Sequence, residues 1–240
     1  MTGLRWALGF LTVLPVRPRG ELEPGDLGRA AGWFPVVGLG LGILLWGASW
    51  LLNPLLRSGL ASALLLGLWV AATGALHLDG LADCCDGLLA SAPPSRRLDI
   101  LADPHLGAFG VVGVVLLLLI KAAAIGELAD TGALLFVPAG GRWIALLLAR
   151  GQPVRPEGLG GRLHAELGRA GLFWLLPIAA GALLLGLRGL AALAAALLTA
   201  WALARLARAR LGGQTGDVLG AGIELAETAM LVAFAVRLQP

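Results

Sequence analysis

The chain alternates long apolar blocks with short polar connections. Seven blocks approach the length of about 20 apolar residues that a helix needs to cross a bilayer: residues 33–52, 60–78, 108–126, 133–149, 171–187, 189–206 and 219–237. The pattern predicts an all-α fold. We expect a polytopic transmembrane helical bundle of about seven membrane segments, forming one integral-membrane domain over residues 1–240.

Three places in this pattern carry particular expectations. Only Arg188 and Gly189 separate the fifth and sixth blocks, which predicts a tight hairpin there. The last block contains Glu224 and Glu227, so it either crosses the membrane or lines a cavity without facing lipid. Residues 1–14 are apolar but no signal-peptide cleavage site follows them, and we expect an amphipathic or re-entrant segment at the membrane surface.

Composition and charge agree with a membrane location. Of the residues, 58% are hydrophobic and 14% are charged, against about 25% charged in soluble domains, so we exclude a soluble bundle. With seven spans, thirteen arginines fall on one side, and Arg57, Arg188 and Arg237 on the other. The positive-inside rule makes the crowded side cytoplasmic. No nucleic-acid motif is visible, so we expect membrane lipid and not nucleic acid as a partner.

The densest polar motif is HLDGLADCCDGL at residues 77–88, directly after an almost purely apolar run. Its acids Asp79, Asp83 and Asp86 stand at i, i+4 and i+7, within roughly 60° of one another on a helix. Such carboxylates repel one another unless a divalent cation neutralises them, and their oxygens suit Mg²⁺ or Mn²⁺. The alternative is a solvated helix face or a set of caps. His77 lies about opposite Asp79, and we expect it to be a packing or cavity residue.

A second acidic stripe begins at Asp217. Asp217 and Glu224 share one helical face, and Glu227 lies to its side. A simple helix start explains Asp217 but hardly Glu224, because an unpaired acid facing lipid is very costly. This helix enters the membrane from the same side as the first motif. We therefore predict that two acidic helices converge on a polynuclear metal site.

Other charged residues are candidates for substrate contact. Lys121 lies inside the third block and Arg142 inside the fourth, where a buried cation usually faces a polar cavity or an acid. Arg155, in a glycine-rich loop, offers a guanidinium fork that suits phosphate oxygens. Asp103 stands on a short predicted helix that the following proline ends. The alternatives are snorkelling of Lys121, a misplaced block boundary at Arg142, a flexible connector and a solvated surface helix.

Five motifs resemble, in order, those of the cobalamin synthase family (adenosylcobinamide-GDP ribazoletransferase): HLDGLADCCDGL (77–88), RRLDILADPHLGAFG (96–110), GRW (141–143), RPEGLG (155–160) and GQTGDVLGAGIELAE (213–227). The stretches FLTVLPVRP (10–18) and GWFPVVGLGLG (32–42) are similar to the N-terminal portion of that family. The resemblance covers almost the whole chain. Cys84 stands where Thr or another small residue is expected, which affects no catalytic role.

The resemblance implies a Mg²⁺-dependent, multipass enzyme of the bacterial inner membrane, with an acidic active site at the cytoplasmic helix ends. A ribose hydroxyl of α-ribazole, or of its 5′-phosphate, would attack the cobinamide-side phosphorus of adenosylcobinamide-GDP. GMP would leave, and adenosylcobalamin or its 5′-phosphate would form. Carried onto this chain, the metal ligands are Asp79, Asp83, Asp86, Asp217 and Glu224, the catalytic acids are Asp83 and Asp217, and the substrate-binding residues are Arg142, Arg155, Asp103 and Lys121.

Other functions stay open at this level. CDP-alcohol phosphotransferases of phospholipid synthesis also use clustered aspartates at a membrane helix end, but no Ala-Arg pair follows Asp83 here. Intramembrane prenyltransferases also bind Mg²⁺-diphosphate with acidic pairs. A cation or proton transporter would use buried charges as its pathway, although the acids here are bunched on one side and no inverted repeat is visible. Metal-dependent release of a nucleotide separates the enzymes from the transporter.

Overall fold

The computed structural model describes residues 2–16, 21–128 and 131–236. Within these ranges the regular structure is helical, apart from one isolated β-bridge between Pro153 and Gln214. The helices are α1 (Thr2–Leu11), α2 (Asp26–Ala31), α3 (Phe34–Leu52), α4 (Ser58–Thr73), α5 (Leu76–Leu89), α6 (Pro94–Leu101), α7 (Ala108–Gly126), α8 (Ala133–Leu148), α9 (Leu159–Glu166), α10 (Ala170–Phe173), α11 (Leu175–Leu184), α12 (Gly186–Leu211) and α13 (Gly216–Ala235). The all-α prediction is confirmed.

Four of these helices, α3, α7, α12 and α13, are long and apolar enough to cross a membrane. Two bent pairs qualify only when each pair counts as one span. One is α4 with α5, bent by 92°, and the other is α9 with the stretch Ala170–Leu184, bent by 67°. The described residues therefore contain four to six candidate spans, where the sequence predicts about seven.

The differences arise where the apolar pattern continues but the backbone turns. The 60–78 block is broken at Gly74 and Ala75, which both adopt left-handed backbone angles (φ 62° and 57°). The fourth block becomes α8, which has only 16 residues and is about 24 Å long. The tight hairpin turns at Gly186 (φ 66°), and Arg188 lies inside α12.

The N-terminal segment and the short helix before α7 also differ in detail from the prediction. Residues 1–14 contain α1, which packs against α2 and α3 and is not among the candidate spans. Helix α6 ends at Leu101, so Asp103 lies in the loop after it. Three of the arginines in the charge count fall outside the described residues: Arg17, Arg19 and Arg237.

The centre of the bundle is α13, which packs against α5, α7, α8 and α12. Beside it, α8 is buried along almost its whole length and also packs closely against α3. Small residues make this approach possible. An added Cβ at Gly42 of α3 would lie 2.6 Å from the carbonyl oxygen of Leu134 in α8. The close contact leaves α13 and α8 shielded from the surroundings.

The outer helices expose apolar side chains. On α7, Val112 and Leu119 are more than half exposed, and on α12 the same is true of Leu198 and Trp201. Exposed apolar faces of this length on helices with satisfied backbones suit the interior of a bilayer. The described helices thus have the surface of a multipass membrane protein.

The helix ends gather at two ends of the bundle. One cavity joins the end of α3, the start of α4, the end of α7 and the start of α8, and its lining includes Asn53, Ser58, Gly126 and Leu134. We call this the far end. At the opposite, or site, end lie the starts of α3, α5 and α13 and the later part of α8, which line a second cavity together.

Candidate active site

Two helices meet at the site end through glycines. An added Cβ at Gly80 of α5 would lie 2.9 Å from the carbonyl oxygen of Asp217 at the start of α13. One at Gly220 of α13 would lie 3.4 Å from the Cα atom of His77. The two backbones therefore pass each other with no side chain between them. This contact brings Asp79 and Asp217, which are distant in sequence, to one cavity.

A loop is tied to the start of α13 and completes the site. The backbone N–H of Val154 donates to the carbonyl of Gln214 at 2.9 Å, and that of Gln214 donates to the carbonyl of Gln152 at 2.8 Å. Thr215 caps α13 by accepting a hydrogen bond from the backbone N–H of Val218 at 3.3 Å. This pairing holds Arg155 beside the first turn of α13.

The cavity at the site end has a volume of about 390 Å³. One part of its wall is polar and carries Asp79, Arg155, Thr215 and Asp217. The other part is apolar and comes from seven helices, and it includes Phe10, Leu27, Phe34, Leu163 and Ile223. An amphiphilic cavity of this kind suits a ligand with a flat apolar portion and a charged or hydroxylated portion.

Three acids beside the cavity form what we call the aspartate group: Asp79, Asp83 and Asp217. Asp79 is exposed to the cavity, and Asp83 is half-buried behind it. The charges of both Asp79 and Asp217 act on Asp83. Within the described ranges, no hydrogen-bond donor or cationic side chain contacts the carboxylate of Asp79 or Asp83. Asp79 and Asp83 therefore carry negative charge that no cationic side chain in the described ranges contacts.

Asp217 differs from Asp79 and Asp83 because it has a hydrogen-bond donor and a cation nearby. The hydroxyl of Thr215 donates to its Oδ2 at 3.2 Å, and the positive charge of Arg155 acts on it from the loop. Arg155 in turn donates from Nη2 to the carbonyl of Leu98 at 2.9 Å. The arginine is exposed and lines the cavity.

Asp86 differs from its helix neighbours. Its Oδ2 accepts a hydrogen bond from the backbone N–H of Gly107 at 2.8 Å, and its Oδ1 accepts one from Gly110 at 2.9 Å. These donors belong to the first turn of α7, whose N–H groups have no partner within the helix. Asp86 thus caps α7 from α5, a contact that its spacing from Asp83 does not reveal.

The carboxylate oxygens of the aspartate group suit Mg²⁺ in kind. In the part of the chain that the structure describes, no three or more His, Cys, Asp or Glu side chains are placed so that they could hold a metal ion together. Mg²⁺ is commonly bound by one or two carboxylates together with substrate phosphates and water. Asp79 and Asp83 would fit such an open site, whereas the oxygens of Asp86 already accept hydrogen bonds from α7.

A buried ion network lies deeper in the bundle and consists of Lys121, Arg142, Glu224 and Glu227. Lys121 Nζ donates to Glu224 at 2.8 Å and to Glu227 at 2.6 Å, and Arg142 Nη1 donates to the other oxygen of Glu227. Lys121 also stands 4.0 Å from the ring centre of Trp69. All four charged residues are at most 4% exposed.

The buried ion network contains three residues that the sequence predicts at the active site: Glu224, Lys121 and Arg142. Glu224, predicted as a metal ligand, is bound to Lys121, and neither residue lines the cavity. Arg142, predicted to contact phosphate, is bound to Glu227 and does not line the cavity either. The physical reason is that charges in an apolar interior take the nearest opposite charge. Because two cations meet two carboxylates, the network is neutral as a whole.

Asp103 lies on an exposed loop and not in the cavity wall. Its Oδ1 accepts hydrogen bonds from the backbone N–H of His105 at 3.0 Å and from the His105 ring at 2.7 Å. These bonds lower the pKa of Asp103, first through the backbone donor. The loop follows α6, so Asp103 does not share a helix with Asp99.

Sequence reasoning missed several wall residues. Thr215 gives no motif of its own, although a threonine before a glycine-led helix is a recognisable cap. The apolar wall comes from α1, α2, α3, α5, α8, α9 and α13, and no sequence spacing shows that these elements meet. His77, expected as a packing or cavity residue, does line the cavity.

Comparison with known proteins decides the family. A family model described as cobalamin-5-phosphate synthase matches residues 3–235. The chain belongs to this cobalamin synthase family. The resemblance of the motifs is thereby confirmed, and the chain is a transferase of cobalamin biosynthesis.

Relatives within the cobalamin synthase family match over nearly their full length. The chain is 45% identical to the adenosylcobinamide-GDP ribazoletransferase of Stutzerimonas stutzeri, covering 99% of both chains. It is 46% identical to the protein of that name from Ectopseudomonas mendocina, over 99% of this chain and 100% of the relative. It is 40% identical to the protein of that name from Thermosynechococcus vestitus, over 96% of this chain and 94% of the relative. No solved structure matches the chain.

Proposed function

We propose that this protein transfers the adenosylcobinamide phosphate moiety from adenosylcobinamide-GDP to α-ribazole or α-ribazole 5′-phosphate and releases GMP. The product is adenosylcobalamin or its 5′-phosphate. The names of the full-length relatives support this reaction. The observation that carries it is the meeting of the aspartate group and Arg155 at one amphiphilic cavity.

The polar part of the cavity suits a diphosphate. The first residues of α9 and α13 line it, beside the side chain of Arg155. Helix N-termini present unpaired N–H groups and a positive dipole end, which favour phosphate. Arg155 adds a fork of donors. The donor substrate would therefore place its phosphates between Arg155 and the aspartate group.

In the proposed step, a ribose hydroxyl oxygen forms a bond to the cobinamide-side phosphorus. The bond from that phosphorus to the bridging oxygen breaks, and the bridging oxygen leaves with GMP. Asp217 is the group that can take the hydroxyl proton, because its carboxylate lines the cavity and the hydrogen bond from Thr215 orients it. A carboxylate placed in this way acts as a general base.

Mg²⁺ is part of this proposal. Asp79 and Asp83 would hold it, with Asp217 at the edge of the same site. When bound, the ion would neutralise part of the negative charge of the diphosphate and of the leaving phosphate. The charge of Asp79 and Asp83, which no cationic side chain of the described chain contacts, supports a cation at this position. We further propose that the site end faces the cytoplasm at the inner membrane, since Arg155 and most other arginines lie in its connections.

The test is release of GMP by purified protein in detergent, with adenosylcobinamide-GDP and α-ribazole, in Mg²⁺ or with the metal chelated. We expect metal-dependent release by the natural chain and a loss of about 10²–10⁴-fold in Asp217→Asn, the range for removing a general base. Asp83→Asn should also be inactive. Asp99→Asn, on the exposed surface of α6, is the control and should remain active.

Two outcomes would contradict the proposal. The first is GMP release that persists at full rate after chelation, because no metal-bound diphosphate would then be needed. The second is near-normal turnover of Asp83→Asn in protein that is inserted and monodisperse. Absence of any GMP release by the natural chain, under conditions where a relative is active, would remove the reaction itself.

A further inference from the structure

We infer that Arg97, a buried residue of α6, is a positioning residue for Arg155. Arg97 holds α6 against the end of α5, and α6 in turn holds the guanidinium of Arg155 at the cavity. The inference rests on the proposed function, in which Arg155 binds the diphosphate of the donor. It gives a role to the 96–110 motif, whose acid Asp103 lies outside the cavity wall.

Arg97 contacts the last turn of α5. Its Nη1 donates to the carbonyls of Gly87 and Leu88, both at 2.8 Å. The last carbonyls of a helix have no partner within the helix, and the helix dipole favours a cation beside them. Arg97 is 3% exposed, and no acidic side chain of the described residues forms an ion pair with it. The helix end is therefore what accommodates this buried charge.

Packing adds a second contact between α6 and α5. An added Cβ at Gly87 would overlap the side chain of Leu101, so α6 lies directly against this glycine. Arg97 and Leu101 are one turn apart, on the same face of α6. The helix has only eight residues, and so short a helix is marginal by itself. Its position therefore depends on the contacts that Arg97 and Leu101 make with α5.

The next residue of α6 holds Arg155. The carbonyl of Leu98 accepts a hydrogen bond from Arg155 Nη2 at 2.9 Å. Arg155 is exposed and lines the cavity. An arginine that is free to move loses rotamer freedom when it binds a ligand, and a hydrogen bond to the fold removes part of that loss beforehand. Because Leu98 directly follows Arg97, the contact of Arg97 with α5 sets the place of the carbonyl that orders Arg155.

The experiment is a double-mutant cycle on donor binding. The proteins are the natural chain, Arg97→Met, Arg155→Ala and the variant with both substitutions. Arg96→Met is the matched control, because Arg96 is the neighbouring arginine of α6 and is exposed. Calorimetry gives the dissociation constant of adenosylcobinamide-GDP with Mg²⁺ and without acceptor, so that no transfer occurs. Thermal unfolding, the acceptor KM and Mn²⁺ binding by electron paramagnetic resonance are measured on the same proteins.

We expect Arg97→Met to weaken donor binding roughly tenfold, the effect of one hydrogen bond to a charged group. It should cause no further loss when residue 155 is already alanine. The acceptor KM and Mn²⁺ binding should be unchanged, because α5 and α13 meet at Gly80 and Asp217 without a residue of α6 between them. Arg96→Met should bind the donor as the natural chain does. A purely structural Arg97 would lower the unfolding temperature without this dependence on Arg155.

A second variant applies if Arg97→Met does not fold. Arg97→Lys keeps a cation that can reach the carbonyls at the end of α5, but as a single ammonium and not as a guanidinium. Its donor affinity should lie between those of the natural chain and Arg155→Ala. The difference from the natural chain should again vanish in the Arg155→Ala background.

The inference is overturned if Arg97→Met binds the donor as tightly as the natural chain, or if its effect is equally large in the Arg155→Ala background. It is also overturned if Mn²⁺ binding falls together with donor binding, or if Arg96→Met weakens donor binding as much. Failure of the proposed function gives a different result: the natural chain itself binds no donor and releases no GMP.

Discussion

Asp83 and Asp86 show how neighbouring residues of one type come to differ. They lie three positions apart on α5, yet the oxygens of Asp86 accept two backbone N–H groups of α7 and those of Asp83 accept none from the described chain. Asp83 is surrounded instead by the charges of other aspartates. The carboxylate of Asp86 therefore stabilises the fold. The carboxylate of Asp83 is repelled by its neighbours, and a cation would relieve that repulsion.

This contrast predicts opposite effects on stability. Asp86→Ala should lower the free energy of unfolding by about 1–2 kcal/mol, the usual cost of a lost helix cap. Asp83→Asn should leave it unchanged or raise it, because a like charge is removed, while GMP release is lost. Thermal unfolding in detergent, followed by circular dichroism, measures both. Equal destabilisation by the two substitutions would contradict the separate roles.

At the residue scale, the sequence predicted the aspartate group because helical spacing alone places Asp79 and Asp83 on one face. It did not predict that Asp86 caps α7, since the donors Gly107 and Gly110 lie more than twenty residues away. Periodicity describes a single helix, and it contains no information on which other helix end comes near. His77 could be assigned to the cavity but not identified as unpartnered.

Among the helices, the buried ion network joins α7, α8 and α13. Lys121 lies on α7, Arg142 on α8 and both glutamates on α13. Each charge would be very costly alone in the interior. Glu227 accepts from both Lys121 and Arg142, so it is the centre of the network. Because the site end of α13 carries Asp217, the network also fixes the depth at which the aspartate group is assembled.

Removing a single charge from this network should lower the free energy of unfolding more than removing a pair of opposite charges. Glu227→Gln leaves an excess cation and should destabilise the protein by roughly 3–5 kcal/mol. The double variant Lys121→Met, Glu224→Leu removes one charge of each sign and should cost much less. Thermal unfolding in detergent gives both values. A double variant less stable than Glu227→Gln would show that charge balance is not what the network provides.

The observed helices match the predicted ones where the apolar blocks are uninterrupted, as in α3 and α7. The prediction failed at the bend between α4 and α5, where Ala75 takes a left-handed backbone angle. Gly74, the left-handed C-cap of α4, is a local signal for a helix end, but alanine is a strong helix former, so nothing in the sequence predicts that Ala75 turns as well. The partners within the ion network were equally hidden, because the sequence shows charges in three blocks but not which blocks are neighbours.

For the whole molecule, the main result is the meeting of two distant stretches of chain at the site end. The 77–88 motif and the start of α13 are joined through Gly80, and the loop that carries Arg155 is tied to the same point. The sequence predicted this convergence from the side on which each motif enters the membrane. It could not show that the meeting encloses a partly apolar cavity, whose lining comes from seven helices.

The most direct measurement of the central claim is Mn²⁺ binding, followed by electron paramagnetic resonance of the protein in detergent. We predict one class of bound Mn²⁺ that competes with Mg²⁺ and is weakened at least about tenfold by either Asp83→Asn or Asp217→Asn, while the exposed control Asp99→Asn binds normally. Loss in both variants would mean that both stretches of chain hold the same ion. Binding that is unaffected by Asp217→Asn, or equally weakened in the control, would contradict a shared site.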